Sequence, residues 1–233
     1  MTVVLVAAMP VEAEALLARV VAAELQPEVA GVHWWRGTIG ERDVVVVRGG
    51  VGLVNAALAT TAVLARIEAW RTPELVVSAG TAGGIGSRVA VGDVVLAEEC
   101  VLGDADARAF GYALGQVPGM PEHYRADPGA IARASELELA CGLPVRVGSV
   151  VSSDAFVMRE RAARLELDFP DTVLVDMESA AIAQVAHRHE IPFVGVRAVS
   201  DLVDGDANHE QFRLGAEEAS ERSAAVVAAL VTR

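Results

Sequence analysis

Short β-branched runs alternate along the chain with longer stretches rich in Ala, Leu, Glu and Arg. That pattern belongs to strands joined through helices. Several runs, Val44–Val47 among them, are apolar at every position, as strands covered on both faces are. The predicted strands are Val3–Ala8, His33–Ile39, Asp43–Val47, Leu75–Ala79, Val94–Val101, Val145–Val151, Val173–Val175 and Phe193–Ala198. The predicted helices are Val11–Ala23, Leu53–Glu68, Gly129–Ala140, Arg159–Asp168, Ser179–His189 and Gln211–Val231. Gly40-Glu41 between two strand runs predicts a hairpin, so the sheet is expected to be mixed. No linker or low-complexity segment divides the 233 residues, and a chain of this size can bury roughly three quarters of its extended surface in one core. One α/β domain over residues 1–233 is expected. The stretch 103–128, rich in Gly, Pro and Asp, is too long for an ordinary connection and predicts a functional or interfacial loop.

Composition then removes whole classes of chemistry. All 19 basic residues are arginine. A chain without lysine forms no Schiff base, holds no pyridoxal phosphate and has no P-loop lysine. The 32 acidic residues leave a net charge of −13, which argues against a nucleic-acid partner. A small uncharged or zwitterionic ligand is expected instead. Mean hydropathy is +0.39, yet no run approaches the roughly 18 apolar residues that spanning a membrane requires. The N-terminus lacks a basic region and turns acidic at Glu12 and Glu14, so no signal peptide and a cytoplasmic location are expected. Cys100 and Cys141 stand without CxxC spacing and read as buried free thiols. His187 and His189, two apart, point to different faces of a helix, so no metal site is expected.

In open α/β sheets ligands gather beyond the carboxyl ends of strands. Five such places carry unusual residues: Met9-Pro10-Val11-Glu12, Gly49-Gly50-Val51-Gly52, Gly80-Thr81-Ala82-Gly83-Gly84, Asp176-Met177-Glu178 and Arg197-Ala198-Val199-Ser200-Asp201. The glycines permit positive φ and close approach to a ligand. Asn55 stands where a dinucleotide fingerprint needs its third glycine, so dinucleotide binding is not expected. Asp176 and Glu178 end an apolar run, where two carboxylates are costly unless a ligand, cation or helix N-terminus receives them.

Taken in order with Val151-Ser152-Ser153-Asp154-Ala155-Phe156, these motifs resemble the 5′-methylthioadenosine/S-adenosylhomocysteine nucleosidases of the purine nucleoside phosphorylase-like superfamily. The likeness covers nearly the whole chain and extends through Ala109-Phe110-Gly111-Tyr112 and Gly115-Gln116-Val117-Pro118-Gly119 in the long loop. It implies a three-layer α/β/α fold, a central twisted mixed sheet flanked by helices. The implied reaction is hydrolysis of the N-ribosidic bond of 5′-methylthioadenosine, S-adenosylhomocysteine and 5′-deoxyadenosine, without a cofactor. Such a reaction needs an acid on the purine N7 and a base for the attacking water. The resemblance makes Asp201 the acid, with a pKa that must then be raised by burial or a neighbouring acid, and Glu12 the base. It has Glu178 accept from the ribose hydroxyls beside Met177, Phe156 stack on adenine, the Val157 backbone read the base edge and Met9 wall the ribose. Arg197 and Thr81 are implied to orient Glu12 and the water, and Ser200 to hold Asp201. Phe110 and Pro118 are implied to cross a homodimer interface and close the partner's 5′ pocket.

The chain departs from the family at Thr81, often serine, and at Asp176, often glutamate. The segment Asp201–Phe212 is shorter than in related sequences, and the family's aromatic over the ribose falls near His209, with Phe212 a turn later. Which of the two closes the pocket is left open. So are three other readings: hydrolysis of futalosine or its 6-amino form, a phosphate-dependent phosphorylase, and a non-catalytic nucleoside-binding protein. Ser78, where such phosphorylases carry a phosphate-binding arginine, disfavours the second. Carrying both an acid and a base disfavours the third.

Overall fold

The structure, a computed structural model, describes residues 2–67, 73–203 and 208–233. Its strands are β1 (Thr2–Ala7), β2 (Val21–Leu25), β3 (His33–Ile39), β4 (Arg42–Arg48), β5 (Pro73–Gly84), β6 (Val94–Leu102), β7 (Tyr124–Arg125), β8 (Val145–Ser152), β9 (Thr172–Asp176) and β10 (Phe193–Leu202). Its helices are α1 (Pro10–Leu17), α2 (Leu53–Ile67), α3 (Pro128–Ala132), α4 (Ala134–Cys141), α5 (Arg159–Asp168), α6 (Ser179–Arg188) and α7 (Asn208–Val231). The expected three-layer α/β/α arrangement around a mixed sheet is what forms.

The apolar strands are covered on both sides. Along β1, Val4 and Val6 join one core, with Val63 and Leu64 of α2 and Ala183 and Ala186 of α6. Val3, Leu5 and Ala7 join the other, with Leu16 of α1, Leu137 of α4 and Val226 and Leu230 of α7. Period-2 alternation therefore sorts side chains between two helix layers, which is why the sequence shows no polar face.

The sheet runs β10-β6-β8-β9-β5-β1-β4-β3-β2, and β10 also pairs with β5. Strands β5, β10, β6, β8 and β9 thus close into a ring, while β1, β4, β3 and β2 extend from it as an open arm. Closure is made at the end of β5, where Gly83 pairs with Asp201 of β10 and with Val175 of β9. A Cβ on Gly83 would lie 2.6 Å from Val203, and one on Gly84 2.8 Å from Leu202. These two glycines let neighbouring segments approach β5 closely, and Gly83 also lines a cavity.

Several boundaries differ from expectation. The helix expected over Val11–Ala23 stops at Leu17, because the chain then pairs with β3 as β2, through a register shift between Val21 and Glu24 and a positive φ of 53° at Ala22. Tertiary pairing overrides the helical composition there. Gly129–Ala140 is two helices meeting at Arg133, whose N–H bonds back to Ala130 and Ile131 in a tight turn. Strands β5 and β10 run on through the Gly80–Gly84 and Arg197–Asp201 motifs, so these lie within strands and not beyond them. The last residue of the helix expected over Leu53–Glu68, and Asp204–Ala207 of the shortened segment, lie outside the described residues. Cys100 is buried, Cys141 is half-buried and both are free thiols. Among the described residues no helix is long and apolar enough to cross a membrane.

Candidate active site

A cavity of about 190 Å³ opens at the carboxyl end of the strand ring. It gathers most of the residues singled out in the sequence: Met9, Glu12, Thr81, Phe156, Val157, Met177, Glu178, Ser200 and Asp201 all line it. Arg197 lies beneath the floor, 1% exposed. Phe110 and Pro118 are not part of this wall; both are exposed on the long loop, Phe110 at 83%.

Glu12 enters from the first turn of α1 and is buried. Its Oε2 accepts from the amides of Ala8 at 3.0 Å and Met9 at 2.9 Å. Its Oε1 accepts from the Thr81 amide at 2.8 Å and the Thr81 hydroxyl at 3.1 Å. Four donors hold this carboxylate in one orientation, and three are backbone groups that no side-chain motion releases. Gly80 makes the contact possible, since with φ at +154° a Cβ there would stand 2.3 Å from Glu12 Oε1.

Asp201, in β10, is 2% exposed. The Ser200 hydroxyl lies 2.8 Å from Asp201 Oδ1 and 3.2 Å from the Ala82 carbonyl. Gly80 stands against Glu12 and Gly83 against Asp201, so the two acids are spaced along three residues of β5, about 10 Å of strand.

Asp176 ends β9, Glu178 precedes α6, and the buried cation Arg197 receives both. Arg197 Nε lies 3.1 Å from Asp176 Oδ2, and Nη2 lies 3.4 Å from Glu178 Oε2. Burial works against the guanidinium's charge, but Asp176, Glu178 and Glu12 outweigh it and raise its pKa. Arg197 Nη1 also donates to the Thr81 carbonyl at 3.2 Å; its hydrogen bonds therefore reach Glu12 through Thr81 rather than directly. Glu178 Oε1 accepts from the Gly52 amide at 2.9 Å. Burial pushes the Glu178 carboxyl up to about 7; Arg197 opposes this while Asp176 and Glu12 add to it.

The remaining wall is apolar. Phe156 and Phe212 meet edge to face with ring centroids 5.8 Å apart, and Val51, Val175 and Val203 lie in the same wall. Phe212, not His209, lines the cavity; His209 is exposed. The Gly52 amide lies in one of the glycine motifs singled out in the sequence, and it binds the Glu178 carboxylate. Two contributors escaped the sequence reading. Asp154, which accepts from the Leu53 amide at 2.7 Å, and the buried serines around Arg197 carry no signal in spacing. Only the polar character of Ser78 and Ser179 in otherwise apolar surroundings hints at them.

A family model described as the phosphorylase superfamily matches residues 2–232. A 5′-methylthioadenosine/S-adenosylhomocysteine nucleosidase of Staphylococcus aureus (strain MRSA252) is 37% identical over 206 residues, 88% of this chain and 88% of the relative. The crystal structure of the nucleosidase of that name from Neisseria meningitidis, in complex with methylthio-immucillin-A, has a TM-score of 0.92 at 34% identity and covers 99% of this chain and 98% of that one. The futalosine hydrolase of Helicobacter pylori (strain 26695), at 24% identity with a TM-score of 0.91 over 100% of this chain and 97% of its own, shares the fold. With buried Glu12 of α1 and Asp201 of β10 both lining one largely apolar cavity, and with this degree of identity, the chain belongs to the 5′-methylthioadenosine/S-adenosylhomocysteine nucleosidases of the phosphorylase superfamily.

Proposed function

We propose that this chain, as one nucleosidase domain over residues 1–233, hydrolyses the N-ribosidic bond of 5′-methylthioadenosine, S-adenosylhomocysteine and 5′-deoxyadenosine, releasing adenine. The observation that carries the reading is the pair of buried acids, Glu12 and Asp201, facing one cavity from positions spaced along β5. Asp201 protonates the purine at N7 as the bond breaks, and Glu12 takes the proton of the attacking water. The Ser200 hydroxyl suits this cycle. It donates to Asp201 when that group is ionised and can turn to the Ala82 carbonyl when it carries a proton. Glu178 accepts from the ribose hydroxyls, Met9 and Met177 flank the sugar, and Phe156, Phe212 and the Val157 backbone receive the base.

Water is favoured over phosphate as the acceptor. The amides of Ala8, Met9 and Thr81 that could cradle an anion already hold Glu12. Among the described residues no arginine lines the cavity. A homodimer in which Phe110 and Pro118 close the partner's 5′ pocket, and a cytoplasmic location, belong to the same reading; exposed Phe110 and the free thiols support them.

The test is to incubate the protein with methylthioadenosine, with and without phosphate, and to follow adenine and the sugar. Adenine with free methylthioribose at equal rates in both is expected; methylthioribose 1-phosphate formed only with phosphate would overturn the reading. Faster cleavage of futalosine or its 6-amino form would reassign the substrate. Asp201→Asn is expected to lower kcat by roughly 100-fold or more with the fold intact.

A further inference from the structure

Arg197 is surrounded by hydroxyls whose protons have only one consistent arrangement. A serine hydroxyl has one hydrogen and two lone pairs. Ser179 is fully buried and its Oγ contacts Asp176 Oδ2, Arg197 Nε at 3.0 Å and Ser78 Oγ at 3.0 Å. Asp176, as a carboxylate, only accepts, and Arg197 only donates. The Ser179 hydrogen therefore goes to Asp176, one lone pair takes the Arg197 Nε–H, and the other must take the hydrogen of Ser78. Ser78, having donated, accepts from Arg197 Nη2 at 2.8 Å. The other Asp176 oxygen is held by Ser152, whose Oγ accepts from the Ala180 amide at 2.9 Å. Every hydroxyl proton in this cluster has a defined destination.

We propose that Ser179 is a positioning residue of the active site. Its hydroxyl lengthens the short Asp176 side chain and, with Ser78, clasps the Nε–Nη2 edge of the Arg197 guanidinium, fixing the carbonyl of Thr81 and the carboxylate of Glu178. The reasoning is mechanical. Thr81 carries Glu12 on its amide and hydroxyl while its carbonyl is tied to Arg197 Nη1. Glu178 shares Arg197 Nη2 with Ser78. A guanidinium is planar, so its edges cannot be adjusted one at a time, and loss of the clasp at Nε turns the edges that meet Thr81 and Glu178 as well. Ser179 does not itself line the cavity; it acts through Asp176 and Arg197. The consequence for turnover rests on the hydrolase reading above; the clasp does not.

The experiment compares Ser179→Ala, Ser78→Ala and the double variant Asp176→Glu/Ser179→Ala with the parental protein. The readouts are adenine release from methylthioadenosine and the Arg197 Nε–H resonance in protein carrying isotope-labelled arginine. Ser179→Ala is expected to lower kcat about 10-fold or more, shift that resonance and speed its exchange with solvent. Loss of the guanidinium's hold on Glu178 is expected to move the acid limb of kcat/KM upward in pH. In the double variant the extra methylene of glutamate takes the place of the hydroxyl, and recovery of most of the lost kcat is expected. An unmoved resonance and unchanged kcat in Ser179→Ala, or a double variant no better than the single, would overturn the proposal. Should Ser179→Ala fail to fold, Ser78→Ala removes the other half of the clasp and carries the same expectations. A parental protein that releases no adenine would defeat the hydrolase reading, and the resonance would still decide on the clasp.

Discussion

Glu178 is the residue whose environment makes the clearest pH-dependent claim. Its carboxyl is raised from 4.5 to about 7 by burial, against the pull of Arg197 and with the push of Asp176 and Glu12. A carboxyl that holds its proton more tightly when folded contributes stability in full below about pH 4.5, and that contribution is lost as pH rises through about 7. Unfolding midpoints should therefore fall between pH 5 and pH 8.5, and Glu178→Gln should remove that part of the slope. Catalysis runs the other way. The ionised form accepts from ribose hydroxyls, so kcat/KM in the parental protein should show an acid limb near pH 7, which Glu178→Gln abolishes at a higher KM. A pH profile flat from 5 to 8 would take Glu178 out of that role. At Glu12 burial serves orientation: three backbone amides and a hydroxyl hold the carboxylate in one position towards the cavity.

Among the elements, α2 binds the two halves of the site together. Its N-terminal amides are capped from far along the chain, Gly52 by Glu178 and Leu53 by Asp154. The second of these bonds latches the loop that carries Phe156 and Val157 onto the helix. Asp154→Ala is expected to cost about 1 kcal/mol of stability, as loss of a helix cap does, and to raise KM for the nucleoside several-fold with kcat little changed. An equal fall in kcat would show that the latch also governs the chemistry. These long-range caps mark where sequence legibility ends. The strands were readable because burial on both faces writes an unbroken apolar run, and the helix over Arg159–Asp168 because its composition and its environment agree. Strand β2 was not, since Val21–Leu25 is exposed at every residue and its only reason to be extended is β3 beside it. The acids at strand ends stood out against apolar neighbours. Asp154 and Ser179 did not, because a polar residue in a loop or at a helix start is ordinary until its distant partner is known. Phe212 was left undecided against His209 because the choice depends on where α7 begins.

For the molecule as a whole, association is the open physical quantity that the surface addresses. Val54 and Leu58, one turn apart on α2, are 74% and 43% exposed, and Phe110 is 83% exposed. Apolar groups of this size left in water are a cost that a second copy would remove. The parental protein should show twice the mass of one 24.3 kDa chain by light scattering, and Val54→Glu should return it to one chain while raising KM for 5′-thio nucleosides more than for adenosine. A single-chain mass in the parental protein would overturn the dimer. The sheet itself bears on which face associates. Five of its strands close on themselves, so along its main path the unpaired backbone is gathered at β2. There the ladder is interrupted by the twisted backbone at Ala22. An interrupted rim of this kind is a poor template for a second chain's strand. Two copies meeting in solution are thereby discouraged from stitching their sheets into a continuous ribbon, and a strand-rich protein gains protection against fibrous growth.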